Sequence, residues 1–264
     1  MSDQTVLLDI DTRGVARVTL NRPDKHNAFD DAVIAELRRA FGSLALEDEV
    51  RVVVLASAGK NFSAGADLAW MKRMAEYDYA HNHEDAQLLA GMLGALHDLP
   101  QPTVARVQGA AFGGAVGLVS CCDMAVAETR ASFCLSEVKI GLIPATISPY
   151  VIRAIGERAA RRYFTTAERF TALQAQSLGL VSEVAEPADL EAALDDLVDA
   201  LLRNGPHAVR ASKALVVDIA GREITPALIE DTCGRIAQIR VSEEGQEGLE
   251  AFLHKRKPNW ISEG

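Results

Sequence analysis

The 264-residue chain is 48% hydrophobic, enough for one large domain, or one with an appendage, whose core needs no disulfide or metal. Its net charge of −10 excludes a broad nucleic-acid-binding face, because phosphate backbones demand clustered Lys and Arg. A charged fraction of 24% at this hydrophobic content excludes a disordered chain.

In chain order, "VLLDIDTRGVARVTLN" reads as two short strands around Thr12-Arg13-Gly14, with Gly14 in the permissive turn position. "RPDKHNAFD" is a loop ending in Asp30, an N-cap for a helix over "DAVIAELRRAFGSLAL". Val33, Leu37, Phe41 and Leu44 recur there at helical spacing. The β-branched run "RVVVLAS" (51–57) predicts a strand buried on both faces. "GKNFSAGADL" is a loop that enters a helix near Asp67, and "PTVARVQG" is another strand. "GGAVGLVSCC" reads as helix, "DMAVAE" as strand, "ASFCLSE" as extended, and "GLIPATISPY" as a Gly/Pro-punctuated loop. From about residue 187 the pattern is almost purely helical. The expectation is an α/β core over 1–190 and a helical region over 191–264.

Cys121, Cys122, Cys134 and Cys233 form no C-x-x-C pair, so neither a zinc pattern nor a disulfide framework is present. Three of them sit in apolar surroundings, as buried thiols of a reducing compartment do. "MSDQTVLLDI" lacks the features of a signal peptide, and no run approaches a membrane span. A cytoplasmic protein that binds neither membrane nor nucleic acid is expected. Lys60, Lys72, Arg73 and "HKRK" (254–257) are local basic patches, with solvated surface charge as their plainer reading.

Two loops share one design. Ala64, Gly65 and Ala66 in "FSAGADL", and Gly113 and Gly114 in "FGGAVG", put small residues where helices begin. Helix starts leave N–H groups open, and two of them converging on a point would form an oxyanion hole. Taken singly, each loop also reads as an ordinary tight turn. The spacing is not that of a phosphate loop.

"LNRPDKHNAFD", "KNFSAGADL", "VQGAAFGGAVGL", "CDMAVA" and "GLIP" resemble, in order and spacing, the successive signatures of the enoyl-CoA hydratase/isomerase (crotonase) superfamily. The resemblance runs from residue 5 to the C-terminus. It implies stacked ββα units with a C-terminal helical trimerisation region, and a homo-trimer or a hexamer of paired trimers. It implies an acyl-CoA substrate with no metal and no redox cofactor. The thioester oxygen would accept from the backbone N–H groups of Ala66 and Gly114. Ala28, Ala64, Gly65, Asp67, Leu68 and Gly113 would line the CoA channel. Lys25, Lys60 and the basic C-terminal run would face the CoA phosphates.

Hydratases of this superfamily resemble one another in using two glutamates. Glu137 in "FCLSEVKIGLIP" matches the later one. An acid in such an apolar stretch is expected to have a raised pKa; a helix-start acid or a surface ion pair is the plainer reading. At the position of the earlier one stands Gly117. Resemblance to methylglutaconyl-CoA and carboxygeranoyl-CoA hydratases implies hydration of a branched glutaconyl-type thioester, with Gly117 leaving room for the branch. A Δ3,Δ2-enoyl-CoA isomerase using Glu137 alone is the alternative, and a CoA- or RNA-binding protein with little chemistry is a third. His81 and His83 in "YDYAHNHEDAQ" fall in an expected mobile segment near the acyl channel, and read as surface residues rather than metal ligands. Asp123 reads as a strand anchor.

Overall fold

The computed structural model describes residues 4–261, so the outermost three residues of the expected core and of the expected helical region lie outside it. The chain opens with an antiparallel pair, β1 (Val6–Ile10) and β2 (Val15–Leu20). Asp30 then caps α1 (Asp31–Leu44), its carboxylate accepting from Val33 N–H at 3.1 Å. The helix buries Val33, Ile34, Leu37, Phe41 and Leu44, the 3–4 spacing of one face.

β3 (Val52–Ser57) is buried at every position and pairs in parallel with β2. Val53 and Leu55 enter the main core, while Val52, Val54 and Ala56 enter a second cluster on the other face. Alternation with period two explains how one apolar strand serves both layers. Next come α2 (Leu68–Met74), α3 (Tyr79–His97) and β4 (Thr103–Val107), the last parallel to β3.

From here strands alternate between two sheets. β5 (Ala110–Phe112) and α4 (Gly114–Cys121) are followed by β6 (Met124–Glu128), parallel to β4, and β7 (Ser132–Cys134), parallel to β5. After α5 (Ser148–Thr166), β8 (Phe170–Thr171) joins β7; after α6 (Ala172–Leu178), β9 (Glu183–Ala185) joins β6. The result is a six-stranded sheet in the order β1-β2-β3-β4-β6-β9 beside a three-stranded sheet β5-β7-β8. This repeated strand–strand–helix winding is the stacked ββα arrangement.

α7 (Leu190–Leu202) lays Leu190, Leu194 and Val198 on the second face of the large sheet, so it is part of the α/β layers although it begins at the expected boundary. α8 (Pro206–Ile219), α9 (Pro226–Val241) and α10 (Glu243–Leu253) follow. Asp123 accepts from Thr103 N–H at 2.8 Å and from its hydroxyl at 2.9 Å, and pairs with Lys213 at 2.7 Å. It therefore anchors β4 to the start of β6 and to α8. Among the described residues no helix is long and apolar enough to cross a membrane.

Two local expectations are corrected. "YDYAHNHEDAQ" is not a loose segment but the start of α3, whose cap Asp78 accepts from His81 N–H at 2.9 Å. A capped first turn satisfies backbone donors that polar composition alone had suggested were loop. "ASFCLSE" is strand only over Ser132–Cys134; Glu137–Ile140 form a 3-10 turn closed by Gly141.

Candidate active site

The "FSAGADL" and "FGGAVG" loops lie against each other. Phe62 N–H donates to Gln108 O at 2.7 Å, Ser63 N–H to Ala110 O at 3.0 Å, and Phe112 N–H to Ser63 O at 3.0 Å. The approach demands glycines. A Cβ on Gly65 (φ +93°) would stand 2.8 Å from Phe112 O, and one on Gly109 (φ +59°) 2.1 Å from Lys60 O.

Most amides of these loops are spent on protein. Ala64 N–H donates to His26 O, Gly65 N–H to the Ser63 hydroxyl, Asp67 N–H to Phe29 O, and Gly113 N–H to Cys134 O. Among the described residues, Ala66 N–H and Gly114 N–H donate to none, and both residues line one cavity of about 580 Å³. Phe29 braces the second loop: its ring would lie 2.6 Å from a Cβ on Gly114.

Glu137 lines the same cavity from the 3-10 turn. Its Oε1 lies 3.3 Å from where a Gly113 Cβ would stand, and its Oε2 is buried with no hydrogen-bond partner among the described residues. Burial pushes the Glu137 carboxyl above its ordinary value of 4.5.

Gly117 does not open onto the cavity. A Cβ there would stand 2.3 Å from Ile147 Cγ2 and 3.6 Å from Leu93 Cδ2. The room expected for a substrate branch is filled by Ile147, whose own residue lines the cavity instead. The glycine is a packing requirement of α4 against the start of α5.

The remaining residues expected to touch CoA lie around the first loop. Ala28 and Gly65 are buried, while Ala64 and Leu68 are exposed. Asp67 caps α2, accepting from Ala69 N–H at 2.7 Å and Trp70 N–H at 3.4 Å. It also accepts from Arg22 at 3.1 Å and Lys25 at 3.4 Å. Burial pushes its pKa up, but those backbone donors and the Lys25 and Arg22 charges outweigh it and hold the carboxyl below its ordinary value. Arg22, itself largely buried, joins this cap to Asp30 at 3.1 Å. Asp67→Ala removes the cap and one partner of Arg22 together, and is expected to cost about 2 kcal/mol in denaturant unfolding, with Asp67→Asn losing less. Lys60 lines a separate polar cleft with Arg17, Arg106 and Glu191. Arg256 of the basic C-terminal run pairs with Glu247 at 2.6 Å.

Sequence reasoning missed Trp70, Asn82 and Asp85, which line the cavity from α2 and α3. His81 and His83 do not line it and are exposed. The available signal was the spacing Asn82, Asp85, Ala86 and Leu89 at helical steps, one face of α3.

A spiral of strand–strand–helix units carrying two open amides beside a buried carboxylate is the architecture of crotonase-fold enzymes. The chain belongs to the enoyl-CoA hydratase/isomerase family, whose model matches residues 11–263. It is similar to the solved enoyl-CoA hydratase of Shewanella pealeana, at 48% identity and TM-score 0.93, over 97% of this chain and 96% of that one. It is 32% identical to the 2,3-dehydroadipyl-CoA hydratase of Escherichia coli, over 93% of this chain and 94% of the relative. It is 30% identical to the trans-2-decenoyl-[acyl-carrier-protein] isomerase of Streptococcus mutans, over 98% and 99% of the two.

Proposed function

We propose that the protein adds water across the α,β double bond of an acyl-CoA. Ala66 N–H and Gly114 N–H hold the thioester oxygen and stabilise the enolate formed as water attacks Cβ. Glu137 takes the proton of that water and delivers one to Cα. The observation that carries this reading is the buried, unpartnered Glu137 Oε2 in the cavity lined by both residues. Only protons and an enolate are involved, so the reaction calls for no metal or redox cofactor.

Around this centre, Ala28, Ala64, Gly65, Asp67, Leu68 and Gly113 shape the CoA channel, and Lys25 and Lys60 face its phosphates. In support, the Lys25 side chain is 58% exposed. The exposed apolar residues Val216, Val241 and Phe252 support a homo-trimer, or a hexamer of two trimers, built through residues 191–264. Buried Cys121 and Cys134 support a cytoplasmic location.

The branched glutaconyl class, 3-methylglutaconyl-CoA above all, rests on motif resemblance, and the name of the E. coli relative lends it a second carboxylate. The cavity wall favours an uncharged acyl chain, because its ionisable side chains are the two acids Glu137 and Asp85. Neutral donors such as the Thr146 hydroxyl are what it offers a distal carboxylate. An isomerase reading draws on Ile147: with the Gly117 side filled, Glu137 is the acid assigned to act beside the two amides, and one carboxylate suffices to move a proton between C2 and C4.

A panel of trans-2-enoyl-, trans-3-enoyl- and 3-methylglutaconyl-CoA thioesters separates these. Hydration of trans-2-enoyl-CoA is expected, with kcat/KM higher for it than for 3-methylglutaconyl-CoA. Isomerisation of the trans-3 substrate with no hydration of any member would overturn the hydratase reading. A preference for 3-methylglutaconyl-CoA would restore the glutaconyl class.

A further inference from the structure

Asp85 is the one acid of the cavity for which the proposed reaction has no use. It projects from the α3 face shared by Asn82, Ala86 and Leu89, opposite Leu142 and Ile143 of the loop before α5. Trp70 Nε1 donates to its Oδ1 at 3.1 Å. No cation is paired with it among the described residues: Arg73, the nearest influence of positive sign, is committed to Asp31 at 2.5 Å. The facing loop brings no charged side chain, and the other acid of the cavity is Glu137. Burial raises the Asp85 pKa and the nearby Asp31 charge adds to it, while the Trp70 hydrogen bond and the Arg73 charge act the other way.

Asp85 stands on the α2–α3 side of this cavity, bonded to Trp70 of α2, whereas Glu137 enters it from the 3-10 turn.

We infer that Asp85 is a specificity-determining residue whose carboxylate, fixed by Trp70 on the acyl wall, discriminates against acyl chains that carry a second carboxylate. The inference rests on the proposed reading only for the placement of the acyl chain in this cavity. Two like charges within several ångströms in a partly buried site disfavour each other by a factor of about ten or more.

Saturated thioesters test this without any turnover. Titration calorimetry of the full chain with hexanoyl-CoA and adipyl-CoA compares chains of equal length that differ in a terminal carboxylate. The readout is the ratio of the two affinities within each variant. Wild type is expected to favour hexanoyl-CoA at least tenfold. Asp85→Asn narrows that ratio about tenfold; the amide oxygen it introduces can still accept from Trp70. Asp85→Glu, which keeps the charge, keeps the ratio, and Asp85→Ser provides a second neutral variant if the first does not fold. A ratio unchanged in both neutral variants, or lost equally in Asp85→Glu, overturns the assignment. A missing hydratase activity leaves this measurement intact, so the two readings fail separately.

Discussion

Glu137→Gln lowers the hydration rate by about 10²–10⁴-fold and at the same time makes the protein more stable at neutral pH. The loss follows from removing the group assigned to move both protons, with the two amides left in place. The gain follows from burial. Oε2 has no partner among the described residues, and burial outweighs the one backbone hydrogen bond that favours the ionised carboxyl. Because burial raises the folded-state pKa above 4.5, the native state keeps its proton at pH values where the unfolded chain has released one. The contribution of this group is thus intact below the ordinary carboxylate pKa and is lost as pH rises through the raised one. Removing the charge is expected to stabilise by on the order of 1 kcal/mol at pH 7–8, about 2–4 °C in Tm, and by much less near pH 4. The same shift places the acid limb of kcat/KM above the ordinary carboxylate range. Thermal scans at the two pH values check the first claim, and a pH–rate profile checks the second. Equal stabilisation at both pH values would sink the assignment of a buried, ionised Glu137, whatever happens to the rate.

Several local elements around this cavity are legible in the sequence, for identifiable reasons. Caps are local: Asp30 and Asp67 could be placed from the residues beside them, because an N-cap bonds within three positions. The buried strand at 52–57 was legible because its valines leave no polar face. The two amide loops were legible because small residues before helices have few other uses. What escaped was contact between distant segments. The indole of Trp70 meets Asp85 across a helix–helix corner, and neither residue type signals the other. The 3-10 turn at Glu137–Ile140 was hidden because the strand before it is only three residues long. Gly117 suggests open space in the sequence, but the space is taken by Ile147, which lies thirty positions away.

That contact sets the second large effect. Gly117→Ala is expected to cost about 1–3 kcal/mol, because its Cβ would stand 2.3 Å from Ile147 Cγ2 in a packed layer. Gly117→Glu is expected to cost about 4 kcal/mol or more, since it adds an acid to the same crowded place. Ile147→Ala is destabilising by itself through the cavity it leaves. Combined with Gly117→Ala, however, it should give a double variant less destabilised than the sum of the two by about 1–2 kcal/mol, because the added methyl group enters the space vacated. Additive costs in denaturant unfolding would mean that Ile147 is not what excludes a side chain at 117. Coupling carries a functional consequence. A second carboxylate beside the amides needs two changes made together, a shrunken residue at 147 and an acid at 117. The proposed one-acid centre thus matches the packing of α4 against the start of α5, where an acid placed at 117 alone costs stability before it can serve the chemistry.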